Sequence, residues 1–219
     1  FASSKDGSYK TLAEYVKDMK EGQKEIYYAC GESVAKIDLL PQVEAVKDKG
    51  YEILYCTEYV DEFTIMTLRK YKDFEFKNVC NDSIDLDTKE EKEELAKKND
   101  NAKDMFKTMA EAVSEVKSIR FTNKLKNHPV CLSSDGEISV EMEKAMNAMP
   151  FDNDVKASKV LEINENHPIA KKLENLYNTD KEELKNMTKV LYAQARLIEG
   201  LSIENPTEIS NLICEYLSK

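Results

Sequence analysis

Three short β-rich runs recur within the first 80 residues, and their spacing constrains the fold more than any other feature. Lys24–Cys30 (KEIYYAC), Tyr51–Thr57 (YEILYCT) and Phe74–Cys80 (FEFKNVC) are each of strand length and rich in aromatic or β-branched residues. Between the first two, Gly31-Glu32-Ser33 forms a turn whose serine can cap a helix over 33–47. Val34, Ile37, Leu40, Val43 and Val46 recur there at helical spacing, with Pro41 breaking or restarting the helix. Gly50 closes the unit. Strand, helix and strand within about 30 residues predict a βαβ unit with parallel strands and a right-handed crossover. Asp61 can cap a further helix carrying Phe63 and Met66 before the third strand. The expected fold is therefore a small three-layer α/β/α subdomain over about 10–85.

The pattern then changes. Residues 85–100 are almost all charged, and mixed signs four apart, as at Lys89/Glu93 and Glu93/Lys97, suit a solvated helix. The following stretch is amphipathic, with Met105, Met109, Val113 and Val116 on one face. We expect a domain boundary here, giving domains over 1–98 and 99–219. In the second, Ser118–Asn123, Val130–Ser133 and Lys159–Asn164 read as strands, the first two flanking a turn with Asn127-His128-Pro129. Ser134-Asp135-Gly136 opens a helix stopped by Pro150. From Thr179 two helices flank Gly200, completing an α+β domain that ends in a helical hairpin.

Several chemistries are disfavoured. The formal charge is −10, and only Arg69, Arg120 and Arg196 carry guanidinium groups, so phosphate-rich partners such as nucleic acids are not expected. No apolar run approaches the roughly 20 residues of a membrane span. Cys30, Cys56, Cys80, Cys131 and Cys214 are odd in number and lack a CxxC pair, which suits reduced thiols in a cytoplasmic protein and no zinc site. His128 and His167 both precede proline and are expected at turns or strand entries. No GxSxG, GxGxxG or GK[ST] motif occurs, so no catalytic residue and no metal ligand is assigned. The opening Phe1–Ser8 carries neither initiator methionine nor targeting pattern and reads as cut from a longer chain.

Two apolar surfaces remain open to either reading. Met142, Met146 and Met149, followed by Phe151, form a flexible, polarizable stripe that is either a core face or a contact surface. Leu184, Met187, Leu191 and Ile198 on the first terminal helix, with Ile209, Leu212, Ile213 and Tyr216 on the second, suit either monomer packing or a dimerising bundle.

Larger blocks carry a resemblance. Leu12-x-x-Tyr15-x-x-x-Met19-Lys20-x-x-Gln23-x-x-Ile26-Tyr27-Tyr28 is similar to a segment late in the middle domain of heat-shock protein 90 chaperones, most of all their bacterial HtpG branch. The likeness continues through Lys49–Tyr55 and Asp61-Glu62-Phe63. It returns at Ile138-Ser139-x-x-Met142-Glu143-x-x-Met146 and at Leu161-Glu162-Ile163-Asn164-x-x-His167-Pro168-Ile169. Ala29-Cys30, Leu40 and Glu165 depart from the usual family residues, and the acidic tail of the eukaryotic cytosolic members is lacking. The resemblance implies the end of a middle domain followed by a C-terminal dimerisation domain. It further implies a cytoplasmic homodimer that contacts unfolded or partly folded client protein. The contact helix would be 137–149, with Met142, Met146, Met149 and Phe151 meeting the client. Leu184 to Tyr216 would supply the dimer interface. It also implies that this piece is no enzyme and holds no cofactor, with ATP and Mg bound in the parent protein upstream of residue 1. The alternatives are a non-catalytic dimerising scaffold, or a small cysteine-dependent α/β enzyme using Cys30 or the Gly31–Ser33 turn.

Overall fold

The computed structural model describes residues 1–81, 83–84, 86–150 and 155–218. In chain order the elements are β1 (Ala2–Ser3), α1 (Leu12–Asp18), β2 (Glu25–Cys30), α2 (Val34–Asp38), α3 (Pro41–Asp48), β3 (Leu54–Cys56), α4 (Tyr59–Leu68), β4 (Lys70–Tyr71) and β5 (Phe74–Asn78). They continue with α5 (Lys89–Asn101), α6 (Lys103–Ala110), β6 (Val116–Thr122), β7 (Val130–Ser134), α7 (Val140–Asn147), β8 (Lys159–Asn164), α8 (Pro168–Thr179), α9 (Lys181–Ile198) and α10 (Pro206–Leu217). They gather into two compact units, one of residues 1–86 with 134–157 and the other of 87–133 with 158–219.

The first unit is built on a five-stranded sheet of order β1-β3-β2-β5-β4. Its three central strands are parallel, β2 pairing with both β3 and β5, and the edges β1 and β4 are antiparallel. Successive strand residues face opposite sides. Both sides of β2 are covered, since every residue from Ile26 to Cys30 is buried. One face gathers Tyr15, Ile26, Tyr28, Cys30, Leu54, Cys56 and Ile65 into a core. Pro41 ends one helix and starts another. Leu40 before it is extended, as a residue preceding proline must be, and Pro41 takes the first position of α3, where its missing N–H costs nothing. Asp61 does not cap α4. It lies within the first turn and its carboxylate accepts from the Glu58 N–H at 3.2 Å.

The second unit holds a three-stranded sheet of order β6-β8-β7. The two strands flanking the His128-Pro129 turn are thus not neighbours, because β8 lies between them and runs parallel to β6. All six residues of β8 are buried, as befits a central strand. Met105, Met109, Phe121, Leu132, Leu161, Leu173, Leu184 and Leu191 meet in one core. Thr88 and Glu91 satisfy each other's backbone N–H groups at the start of charged α5, and Leu95 of that helix packs on this core. This division differs from a boundary at 98/99 in two places. α5 packs with the second unit through Leu95, and α7 packs with the first through buried Val140, Met142 and Ala145. The histidine before Pro168 marks a helix start and no strand, its Nδ1 accepting from the Ile169 N–H at 3.2 Å.

Candidate functional site

Within the first unit, a cavity of about 250 Å³ opens at the carboxyl ends of β2 and β3, the end of a parallel sheet where ligands characteristically bind. Cys30, Gly31 and Cys56 line its floor. Tyr59, Glu62 and Phe63 of α4 and Met142 and Ala145 of α7 form its walls. Gly31 is required there by close approach, since a Cβ at this position would meet Ile37 Cγ1 at 2.8 Å. Ser33 caps α2 as the sequence expects, with its Oγ accepting from the Lys36 N–H at 3.3 Å. That helix has five residues, which leaves little dipole to hold a phosphate at the Gly31–Ser33 turn.

Glu62 joins α4 to α7 inside this unit. It is 5% exposed and accepts from Ser139 Oγ at 2.7 Å and from Asn78 Nδ2 at 2.9 Å. Ser139 Oγ in turn accepts from the Met142 N–H at 3.0 Å and so caps α7. Burial holds the Glu62 carboxyl above the ordinary range, against the pull of these two hydrogen bonds. Sequence reading passed over this trio. The available signal was a carboxylate directly before Phe63, on the helix turn that also carries Ile65 and Met66, and a serine three residues before Met142.

Cys30 lies directly opposite Cys56 across the β2/β3 pair. The neighbouring Cys56 thiol, then burial, push the Cys30 thiol well above its usual range. A protonated thiol is a poor nucleophile, so this geometry gives the cysteine-dependent enzyme reading no support. Among the described residues no group of three His, Cys, Asp or Glu could hold a metal ion.

The expected client-contact residues fall in different environments. Met142 is 5% exposed and faces the cavity, Met146 is half-buried, and Met149 is 40% exposed. Phe151 lies outside the described residues. The expected interface residues also divide. Leu184, Met187 and Leu191 belong to the core of the second unit, and Ile209 and Leu212 are buried. Ile198 is half-buried, and so is Tyr216, which packs against that core. Ile213 is 41% exposed. Leu217, an apolar residue of the terminal hairpin, is 83% exposed, and Leu197, which the sequence reading left out of the interface, is 62% exposed. An apolar residue one step off the buried stripe was the available signal for Leu197.

The chain matches the family described as Hsp90 protein over residues 1–219. It is similar to the chaperone protein HtpG of Clostridium botulinum strain Langeland, 51% identical over 99% of this chain and 35% of that protein. The corresponding figures are 48%, 99% and 35% for the HtpG of Bacillus subtilis strain 168, and 49%, 99% and 34% for that of Clostridium perfringens strain 13. The chain thus spans about a third of the length of these relatives. One expectation is corrected by these matches. The chain was expected to be no enzyme, with its nucleotide site upstream of residue 1. The family match runs through every residue from 1 to 219, and the HtpG relatives align along 99% of the chain, so nothing sets it apart as a non-enzymatic piece. Among the described residues no helix is long and apolar enough to cross a membrane.

Proposed function

Because the chain belongs to the Hsp90 protein family, we propose that it dimerises through its terminal helical hairpin and contacts unfolded or partly folded client protein, as part of an ATP-dependent cytoplasmic chaperone. Its correspondence to the end of a middle domain followed by a dimerisation domain belongs to the same proposal, as does the use of ATP and Mg by the whole protein. The observation that carries it is the apolar face left on α9 and α10. Leu197, Ile213 and Leu217 are 62%, 41% and 83% exposed, while the opposite face of the hairpin is packed into the core. A second copy of the hairpin would cover that face in a four-helix bundle. A constitutive dimer keeps two arms at high effective concentration and makes their meeting intramolecular.

On α7 the methionines differ in exposure, Met142 being buried, Met146 half-buried and Met149 exposed. Those exposures favour Met146 and Met149 for client contact in this reading, since their unbranched thioethers adapt to varied apolar partners. Sedimentation equilibrium across a concentration range tests the dimer. The unaltered chain should stay dimeric, and Ile213→Glu with Leu217→Glu should give folded monomers. A chain that is monomeric throughout rejects the interface. Met146→Glu with Met149→Glu should weaken suppression of client aggregation by the full-length protein without altering dimerisation. Unchanged suppression would leave the scaffold reading in its place.

A further inference from the structure

We propose that Cys30 and Cys56, with Met142 within the same cavity, form a binding site for a soft, low-coordinate metal ion, copper(I). The two cysteines are register partners on adjacent parallel strands, so their side chains rise from the same face of the sheet. Both are almost fully buried, at 6% and 1% exposed, yet both border the cavity of about 250 Å³, so a small ion reaches them where a bulky reagent does not. The third sulfur of this wall is the Met142 thioether, held by a helix whose cap is tied to Glu62.

Two thiols facing one another across adjacent strands, with a thioether lining the same cavity, offer a low-coordinate set of sulfur donors. Harder ions are disfavoured because no group of three His, Cys, Asp or Glu among the described residues gathers around one point. Thiolate and thioether donors are the set that selects copper(I). Glu32, Glu58 and Glu141 border the same cavity and give its mouth the sign that admits a cation.

Binding is a proton-for-metal exchange with no change of oxidation state. Two S–H bonds break, two S–Cu bonds form, and two protons leave to solvent. The bis-thiolate copper centre carries one negative charge.

The test is anaerobic titration with copper(I) against a chromogenic copper(I) chelator, with cysteine alkylation under denaturing conditions mapped by mass spectrometry. We expect one copper(I) per chain and protection of Cys30 and Cys56 in the unaltered protein. Cys80→Ser with Cys131→Ala and Cys214→Ser should bind as the unaltered protein does. Cys30→Ser or Cys56→Ser should weaken binding by more than about 100-fold, since outer partners of metal ligands alone are worth about 10–100-fold. Met142→Leu should weaken it by a smaller factor. Protection of cysteines other than 30 and 56, or binding lost in the triple variant, overturns the site. The protection pattern is read on the unaltered chain, so it decides the matter even where a single variant fails to fold.

Discussion

Glu62 is a carboxyl placed where its charge is poorly solvated, and its pKa is raised above the ordinary 4.5 chiefly by burial. The sign of its effect on stability follows. A carboxyl whose folded pKa exceeds its unfolded one binds more protons when folded, so its contribution is full below the unfolded value and is lost as pH rises through the folded value. Glu62→Gln removes that loss while keeping an acceptor for Asn78 and a donor toward Ser139. The thermal midpoint of the variant relative to the unaltered chain should therefore climb as pH rises above the ordinary glutamate range. A difference that stays flat with rising pH would show that Glu62 does not titrate as its burial demands. Tyr15 makes a different residue-scale case. Its hydroxyl donates to the Glu52 carbonyl at 2.7 Å and accepts from the Tyr27 N–H and Gln23 Nε2, both at 3.1 Å. Burial pushes that phenol up to about 12, so it stays a donor across the working range. Tyr15→Phe leaves the Tyr27 N–H without an acceptor inside the unit. We expect a loss of about 1–3 kcal/mol in urea denaturation, and a change below the measurement error would refute the role.

At the scale of elements, the sheet of the second unit is tied by a cross-strand ion pair. Arg120 on β6 is the register partner of Glu162 on β8. It donates from Nε at 2.9 Å and from Nη2 at 2.6 Å to a carboxylate only 1% exposed. Lys124 Nζ lies 3.6 Å from the same oxygen, and Cys131 Sγ on β7 is 3.8 Å from the other. Removing the guanidinium strands a charge in the sheet interior, which typically costs about 3–5 kcal/mol. Arg120→Met should approach that cost, softened by Lys124, whereas Arg120→Met with Glu162→Met should recover most of it. A double variant no better than the single would mean that Arg120 acts through its stem and not its charge. Element positions were largely legible in the sequence, because strand runs, Pro41 and the serine and threonine caps each act over a few residues. Strand order was not. β8 pairs along both edges, between β6 and β7, with all six residues buried, and no local signal states which strands flank it.

For the whole molecule, the terminal hairpin distinguishes folding from assembly. Leu191 is 4% exposed within the core, and Leu217 is 83% exposed on α10. A glutamate at 191 buries an unpaired charge and should unfold the second unit, with loss of its helical circular dichroism. A glutamate at 217 should leave that signal intact and act only on the association constant. Equal effects of the two on folding would mean that α10 is part of one closed core and that no apolar face awaits a partner. The proposed interface therefore centres on the exposed Leu197, Ile213 and Leu217 and not on the buried Leu184, Leu191 and Leu212.

What the sequence determined by itself was local or cumulative. The βαβ rhythm of the first 80 residues, the break at Pro41, the exposed charged helix near 89–101 and the family likeness carried by ordered blocks all follow from residues close in the chain or from many matches summed. Tertiary structure alone decided three things. It seated residues 134–157 in the first unit, where Ser139 reaches Glu62 across 77 positions. It set Cys30 opposite Cys56 through the register of two parallel strands. It also divided an apolar helix between core and surface, assigning Leu191 to one and Leu197 to the other. Periodicity tells how many apolar faces a helix has. Which of them is covered depends on what packs against it, and that is a property of residues distant in sequence.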